Sequence, residues 1–158
     1  MTEQQTDSHI YTMLAAGALA TLAFDSYGQA ISPLIGMSKL APVPLATQTI
    51  QVLTGLRSPE LGYLLHVVTG LLFYPLGWYL IARPVQQRIM PALPWIMTAL
   101  VYGVVLWIFA LYVMAHLVAG NPPFLGFTGI TWVALIGHVL FAIVAAWIME
   151  TRQAVLIR

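Results

Sequence analysis

The sequence predicts an all-α, polytopic membrane protein: a four-helix transmembrane bundle with a long outer loop between helices 1 and 2. Hydrophobic residues make up 60% of the 158 residues and charged residues only 7%, whereas an average soluble domain has about 25% charged residues. So few charges cannot cover a soluble surface of this size, and the mean hydropathy of +0.87 agrees. Several apolar segments reach the length of about 20 residues that crossing a bilayer requires.

The apolar segments predict four spans within a single transmembrane domain over residues 1–158. The spans cover about residues 10–29, 61–82, 94–118 and 128–149. Arg83-Pro84 is predicted to end the second span, because proline removes a helical hydrogen bond. Pro91 and Pro94 are predicted to lie in the first turns of the third span, where a missing N–H costs little.

Basic residues outside the spans predict the orientation. The connection between the second and third spans and the C-terminal tail together carry Arg83, Arg88, Arg152 and Arg158. The opposite side carries only Lys39 and Arg57. Because Lys and Arg favour the cytoplasmic side, the chain is expected in a bacterial inner (plasma) membrane with both termini cytoplasmic.

The outer loop, residues 30–60, is apolar for a solvated connection and contains several prolines. Within it, apolar residues alternate with Thr and Gln between Leu45 and Leu56. This pattern indicates a short amphipathic helix on the membrane surface or over the mouth of the bundle. A plain connector is the alternative.

Four ionisable residues fall inside the predicted spans, and each is expensive to place in a membrane. They are Asp25, His66, His116 and His138. At a rise of ~1.5 Å per residue, the first three lie about 5–7 Å below the outer ends of their helices and His138 about 15 Å. Small residues share the faces of Asp25, His66 and His138, which predicts that these faces pack inside the bundle.

Several kinds of site fit these four residues. His66 and His116 match in depth and are candidates to bind haem b as axial ligands. His66, His116, His138 and Asp25 together are candidates to hold copper or zinc near the outer face. The same set has the chemistry to relay protons. Structural hydrogen bonds between helices are the simplest interpretation, with Asp25 capping N–H groups of the loop or pairing with His66.

The sequence argues against several other functions. It contains no cysteine, which excludes disulfides and thiolate chemistry. A net charge of +1 provides no basic field for nucleic acid. No phosphate-binding glycine loop, nucleophile elbow or pair of catalytic carboxylates is present. A catalytic activity of its own is therefore not expected.

The order of features resembles a family of small four-helix bacterial inner-membrane proteins described only as a domain of unknown function. The resemblance lies in Ala15 to Phe24 of the first helix, HVVTG from His66 to Gly70, Gly103 with Trp107, AGNPPFLGF from Ala119 to Phe127, and Gly137-His138. Asn121-Pro122-Pro123 departs from the methionine- and glycine-rich turn expected there. The resemblance implies a four-helix fold and no established activity.

The leading hypothesis for function is a non-catalytic integral inner-membrane subunit or accessory protein of a larger complex, respiratory or transport-related. Its expected partners are the lipid bilayer and other membrane subunits, or further copies of itself. Binding of haem b, copper or zinc within the bundle is the first alternative. A small transporter or channel, with Asp25 and His138 along its path, is the second.

Overall fold

The computed structural model describes the backbone of residues 3–156 and the side chains of residues 9–152. Over this part of the chain the fold is entirely helical. The main helices are α1 (Glu3–Asp25, prolonged by Ser26–Ile31 and Ser32–Leu34), α2 (Pro42–Thr54), α3 (Pro59–Ile89), α4 (Trp95–Val118) and α5 (Gly129–Leu156). A short 3₁₀ turn, Pro123–Phe127, precedes α5.

Three of these helices are long and apolar enough to cross a membrane. They are α3, α4 and the part Gly129–Arg152 of α5. The all-helical fold is confirmed over the described residues, and the three apolar helices support the predicted membrane class. The helix α1 is not among the three: its second half carries the polar residues Asp25, Ser26 and Gln29. The four-span count stays a prediction.

The helix α5 is the centre of the packing. It contacts α1 on one side and α4 on the other, and α1 also crosses the middle of α3. The helix α2 packs on the first half of α3 and touches the second half of α4. The interior is lined mainly by alanines and a few large side chains: Ala16, Ala20, Phe24, Trp78, Ala99, Leu106, Leu111, Phe141, Ala145 and Ala146.

Close helix crossings depend on glycine at two points. A Cβ atom on Gly17 of α1 would collide with the backbone oxygen of Leu71 on α3. A Cβ atom on Gly103 of α4 would lie 2.5 Å from the Cα atom of Val139 on α5. In both places backbone meets backbone, so no side chain can move aside to make room, as is typical of small residues at membrane helix interfaces.

The glycines of the second span are packed, as predicted, and each one faces a different helix. On α3, Gly62 faces Thr47 of α2, Gly70 faces Thr21 of α1, and Gly77 faces Tyr102 of α4. A regular α-helix has an unbroken period of 3.6 residues per turn. Two wider π-helical segments, Thr69–Phe73 and Trp78–Ala82, interrupt that period and rotate the faces.

Each π-helical segment of α1 and α3 is followed by a proline. Pro33 follows Ser26–Ile31, Pro75 follows Thr69–Phe73, and Pro84 follows Trp78–Ala82. A proline within a helix lacks one N–H and crowds the carbonyl four residues earlier. A wider turn relieves that crowding. The prediction that Arg83-Pro84 ends the second span is therefore wrong, because the helix continues to Ile89.

The third span begins later than its prolines predicted. Pro94 immediately precedes Trp95, the first residue of α4, with an extended ψ of 147°. Pro91 lies in the turn between α3 and α4. Neither proline lies in the first turn of the helix, because Pro94 is its N-cap residue and Pro91 precedes it.

A bidentate ion pair joins the ends of α3 and α5. Arg83 donates from Nε to Oε1 of Glu150 at 2.8 Å and from Nη2 to Oε2 at 2.6 Å. Arg83 also contacts the amide oxygen of Gln86, whose amide nitrogen donates to the carbonyls of Met90 and Leu93 at 2.8 and 2.9 Å. This cluster fixes the α3–α4 turn against the end of α5.

The turn before α5 has a left-handed backbone without relying on glycine alone. Phe124, Leu125 and Phe127 have φ of 50°, 54° and 54°, and Gly126 lies between them at 71°. Left-handed conformations cost about 1–2 kcal/mol for each non-glycine residue. Thr131 offsets part of this cost because its hydroxyl donates to the carbonyl of Phe124 at 2.6 Å.

Candidate functional site

A cavity of about 340 Å³ lies between the helices at the end of the bundle that carries α2. Its volume falls in the range of small-molecule sites, about 300–1,000 Å³. All five helices contribute to its wall, which is mostly apolar. Phe109 of α4 lines the cavity and is 41% exposed, so the cavity adjoins the outer surface of the helices.

His66 reaches the cavity from α3 and is held by Asp25 of α1. Its Nε2 atom lies 3.1 Å from both carboxylate oxygens of Asp25. Asp25 also accepts a hydrogen bond of 2.8 Å from the amide of Gln29. The imidazole is 15% exposed and the carboxylate 30%. A carboxylate that accepts from Nε2–H orients the ring and leaves Nδ1 as the imidazole's other hydrogen-bonding atom.

His138 reaches the same cavity from α5 and is 5% exposed. Its Nδ1 atom donates to the carbonyl of Ala134, one turn earlier, at 2.7 Å. A carbonyl only accepts, so the proton of the neutral ring lies on Nδ1 and the lone pair on Nε2. No protein group among the described residues donates to that Nε2.

Phe24 brings the two imidazoles into one wall. Its ring centroid lies 6.2 Å from that of His66 and 5.0 Å from that of His138, edge-on to the latter. Tyr74 and Phe141 continue the wall, with centroids 5.5 Å apart. One turn beyond Tyr74, the buried side chain of Trp78 fills the bundle interior.

The helix α2 covers one side of the cavity. It spans Pro42–Thr54, close to the amphipathic segment expected between Leu45 and Leu56. Gln48 donates to the carbonyl of Ala119 at 3.1 Å, and its oxygen accepts from Asn121 at 3.0 Å. These bonds tie α2 to the end of α4, whereas the part of the helix after Ile50 is exposed.

His116 lies apart from the other predicted residues. Its Nδ1 atom donates to the carbonyl of Asn121 at 2.7 Å, and its ring packs against Tyr112 at 5.4 Å between centroids. It does not line the cavity. Within the described residues, no group of three or more His, Asp or Glu side chains is placed to hold a metal ion.

The structure thus brings two of the four residues singled out in the sequence, His66 and His138, to the cavity, and places Asp25 against His66. It does not bring His116 to them. Sequence reasoning missed the aromatic side chains Phe24 and Phe141, which complete the wall. A detectable signal existed for Phe24 alone, since it directly precedes Asp25 in an otherwise small-residue segment.

Comparisons of the chain with protein-family models, with curated proteins and with solved structures gave no match.

The Asp25–His66 contact is expected to couple the stability of α1 to that of α3. In a double-mutant cycle of Asp25→Ala, His66→Ala and the double variant, we expect a coupling free energy of about 1 kcal/mol. The measurement is thermal unfolding of the purified protein in mild detergent. Asp25→Asn retains an oxygen that accepts from Nε2–H and should lose less stability than Asp25→Ala. Additive single substitutions would show that the contact contributes nothing.

Proposed function

We propose that this chain is a four-span protein of the bacterial inner membrane that binds a lipid-soluble molecule in the cavity beside α2. The observation that carries the proposal is the cavity of about 340 Å³, apolar over most of its wall, with the imidazoles of His66 and His138 in that wall. An apolar site with a few convergent polar groups is the usual form of a small-molecule site.

Two features support access from the bilayer. The exposed face of Phe109 borders the cavity, so an apolar ligand need not cross water to enter. The helix α2 lies against both α3 and α4 at the same end of the bundle. A ligand dissolved in the membrane would enter with its tail among the exposed apolar side chains and its head toward the imidazoles.

The proposed role is non-catalytic, as a ligand-holding subunit or accessory protein of a larger membrane complex. In the proposed topology α1 also crosses the membrane and brings the number of spans to four. It packs along α5 and exposes Ile10, Leu19 and Leu22 on its outer side. Arg83 of α3 pairs with Glu150 of α5, and Arg152 lies two residues beyond Glu150 on α5. This supports the proposal that Arg83 and Arg152 share the cytoplasmic side. The resemblance to the small four-helix inner-membrane family belongs to the same proposal.

Haem, copper or zinc binding by His66, His116, His138 and Asp25 stays a prediction. The separate position of His116, bonded to the carbonyl of Asn121, lends it no support. A transport path through Asp25 and His138 likewise stays a prediction. The buried ring of Trp78, packed on Tyr102 at 5.8 Å between centroids, fills the bundle beyond the cavity.

A large side chain placed inside the cavity is expected to prevent the ligand from binding. Ala110 lines the cavity from α4, and the indole of Ala110→Trp would occupy it. We expect organic extracts of the wild-type protein, purified from native membranes in mild detergent, to contain a lipid-soluble compound near one per chain. Extracts of Ala110→Trp should contain at least about tenfold less, by mass spectrometry.

The matched control is Val101→Trp, which adds the same side chain to the same helix at a residue that is 62% exposed and does not line the cavity. It should carry as much ligand as the wild type. Equal extracts from Ala110→Trp and Val101→Trp would contradict the proposal. A stoichiometric protein partner that copurifies with the wild type would support the accessory role.

A further inference from the structure

We propose that the cavity selects a ligand whose head group is a hydroxyl on a planar ring, so that the bound molecule is a lipid-soluble phenol or hydroquinone. This inference rests on the proposed function, in which the cavity holds an apolar ligand. It adds the chemistry of the head group, which follows from which polar atoms of the wall are already engaged.

The first of these atoms is Nε2 of His138. Because Nδ1 donates to the carbonyl of Ala134 at 2.7 Å, the neutral ring presents a bare lone pair at Nε2. The side chain is 5% exposed and lines the cavity. No described residue donates to this lone pair, and the hydroxyl of a ligand in the cavity would supply a donor.

The second atom is Nδ1 of His66. Both oxygens of Asp25 lie 3.1 Å from Nε2, so Nε2 carries the proton that the carboxylate accepts. In the neutral ring Nδ1 then has the lone pair. Nδ1 of His66 is therefore available to accept a hydrogen bond from a ligand hydroxyl, such as that of a phenol.

Most hydrogen-bond donors in the wall are already engaged within the protein. Thr21 donates to the carbonyl of Gly17 at 2.8 Å, Thr49 to that of Leu45 at 3.0 Å, and Gln48 to that of Ala119 at 3.1 Å. The amide of Asn121 donates to Gln48 and to the carbonyl of Ala115, both at 3.0 Å. The wall consequently offers acceptors to a ligand more readily than donors.

Two further residues that carry a hydroxyl, Thr69 and Tyr74, line the cavity from α3. A hydroxyl can donate or accept, so either can donate to the oxygen of a ligand hydroxyl that itself donates to an imidazole. A ligand with only acceptor atoms, such as an ether, would leave the imidazole nitrogens without a donor.

The aromatic wall favours a planar ring over a plain alcohol. Phe24 stands edge-on to His138 at 5.0 Å between centroids, and Phe141 stands edge-on to Tyr74 at 5.5 Å. Phe109 continues this lining from α4. Flat rings pair well with such edges and faces. A phenol combines this planarity with the donor that the imidazoles lack.

The test uses two probes that differ in one hydrogen-bond donor: para-decylphenol and its methyl ether. Their binding to the full-length protein in nanodiscs is measured by calorimetric titration for the wild type, His138→Phe and His116→Phe. His138→Phe keeps a planar ring and removes the acceptor nitrogen. His116→Phe makes the same change outside the cavity. We expect the wild type and His116→Phe to bind the phenol about tenfold more tightly than the ether.

In His138→Phe the preference for the phenol should shrink, because only Nδ1 of His66 remains as an acceptor, while the affinity for the ether stays as in the wild type. Retained ether binding also shows that this variant is folded. Equal affinities of the wild type for the two probes would overturn the head-group assignment and leave the cavity function standing. A preference for the phenol that is undiminished in His138→Phe would also overturn it. Failure of both probes to bind the wild type would count against the proposed function itself.

Discussion

Replacing Gly103 with leucine is expected to lower the free energy of unfolding by about 3 kcal/mol. A Cβ atom at this position would lie 2.5 Å from the Cα atom of Val139 and 2.9 Å from the backbone oxygen of His138. Both neighbours are backbone atoms of α5, so α4 and α5 would have to move apart along their contact. The measurement is thermal or denaturant unfolding of the purified protein in mild detergent, monitored by circular dichroism.

The control for Gly103→Leu is Val104→Leu. Val104 is the next residue of α4 and is 38% exposed, so the same side chain there faces outward and should change stability by less than about 0.5 kcal/mol. Gly103→Ala should fall between the two, since its single methyl group already makes the collision. If Gly103→Leu unfolded like Val104→Leu, the close crossing of α4 and α5 would be wrong. Because His138 lies beside this crossing, Gly103→Leu should also weaken ligand binding.

Replacing Arg83 with leucine is expected to destabilise the fold by about 3 kcal/mol, because it leaves the carboxylate of Glu150 without its bidentate partner. The side chain of Glu150 is only 14% exposed, and both its oxygens accept from Arg83. The same substitution also removes a contact to the buried Gln86. Thermal unfolding in detergent measures the loss.

The double variant Arg83→Leu/Glu150→Leu distinguishes the cost of an unpaired carboxylate from the contribution of the ion pair itself. Removing both charges should recover most of the lost stability, since apolar replacements of a buried ion pair are often neutral. Arg88→Leu serves as the control, because Arg88 lies on the same segment of α3 and forms no ion pair within the described side chains. A double variant less stable than Arg83→Leu would show that Glu150 has another favourable role.

The sequence was enough to predict the fold class, because composition and the length of apolar segments depend little on packing. Hydropathy located α3, α4 and α5 well. It could not show that α3 continues past Pro84, since the rule that proline ends a helix assumes a regular α-helix. The π-helical turn Trp78–Ala82, which accommodates the proline, has no clear signature in the sequence.

The site was predictable only in part, for a related physical reason. Burial of ionisable groups singled out Asp25, His66 and His138; the two histidines do reach one cavity, and Asp25 contacts His66. The estimate of depth in the membrane also selected His116. Depth follows from the rise along a helix, which does not show the direction around the helix axis in which a side chain points. The carbonyl of Asn121, which His116 contacts, lies in an irregular turn whose path no helical period predicts. The left-handed residues Phe124 and Leu125 were equally invisible, since neither is a glycine.

In a regular α-helix, the number of residues between two side chains fixes how far they are rotated from each other around the helix axis. The π-helical turns of α3 change this relation. Each such turn takes up about one additional residue, which in an α-helix corresponds to a rotation of roughly 100°. His66 lies before both turns of α3, and Arg83 lies directly after the second. The two turns therefore determine the directions around the axis of α3 in which His66 and Arg83 point. With these directions, His66 meets Asp25 and Arg83 meets Glu150. The combined rotation of the two π-helical turns allows one continuous helix to present His66 to the cavity at one end and Arg83 to Glu150 at the other.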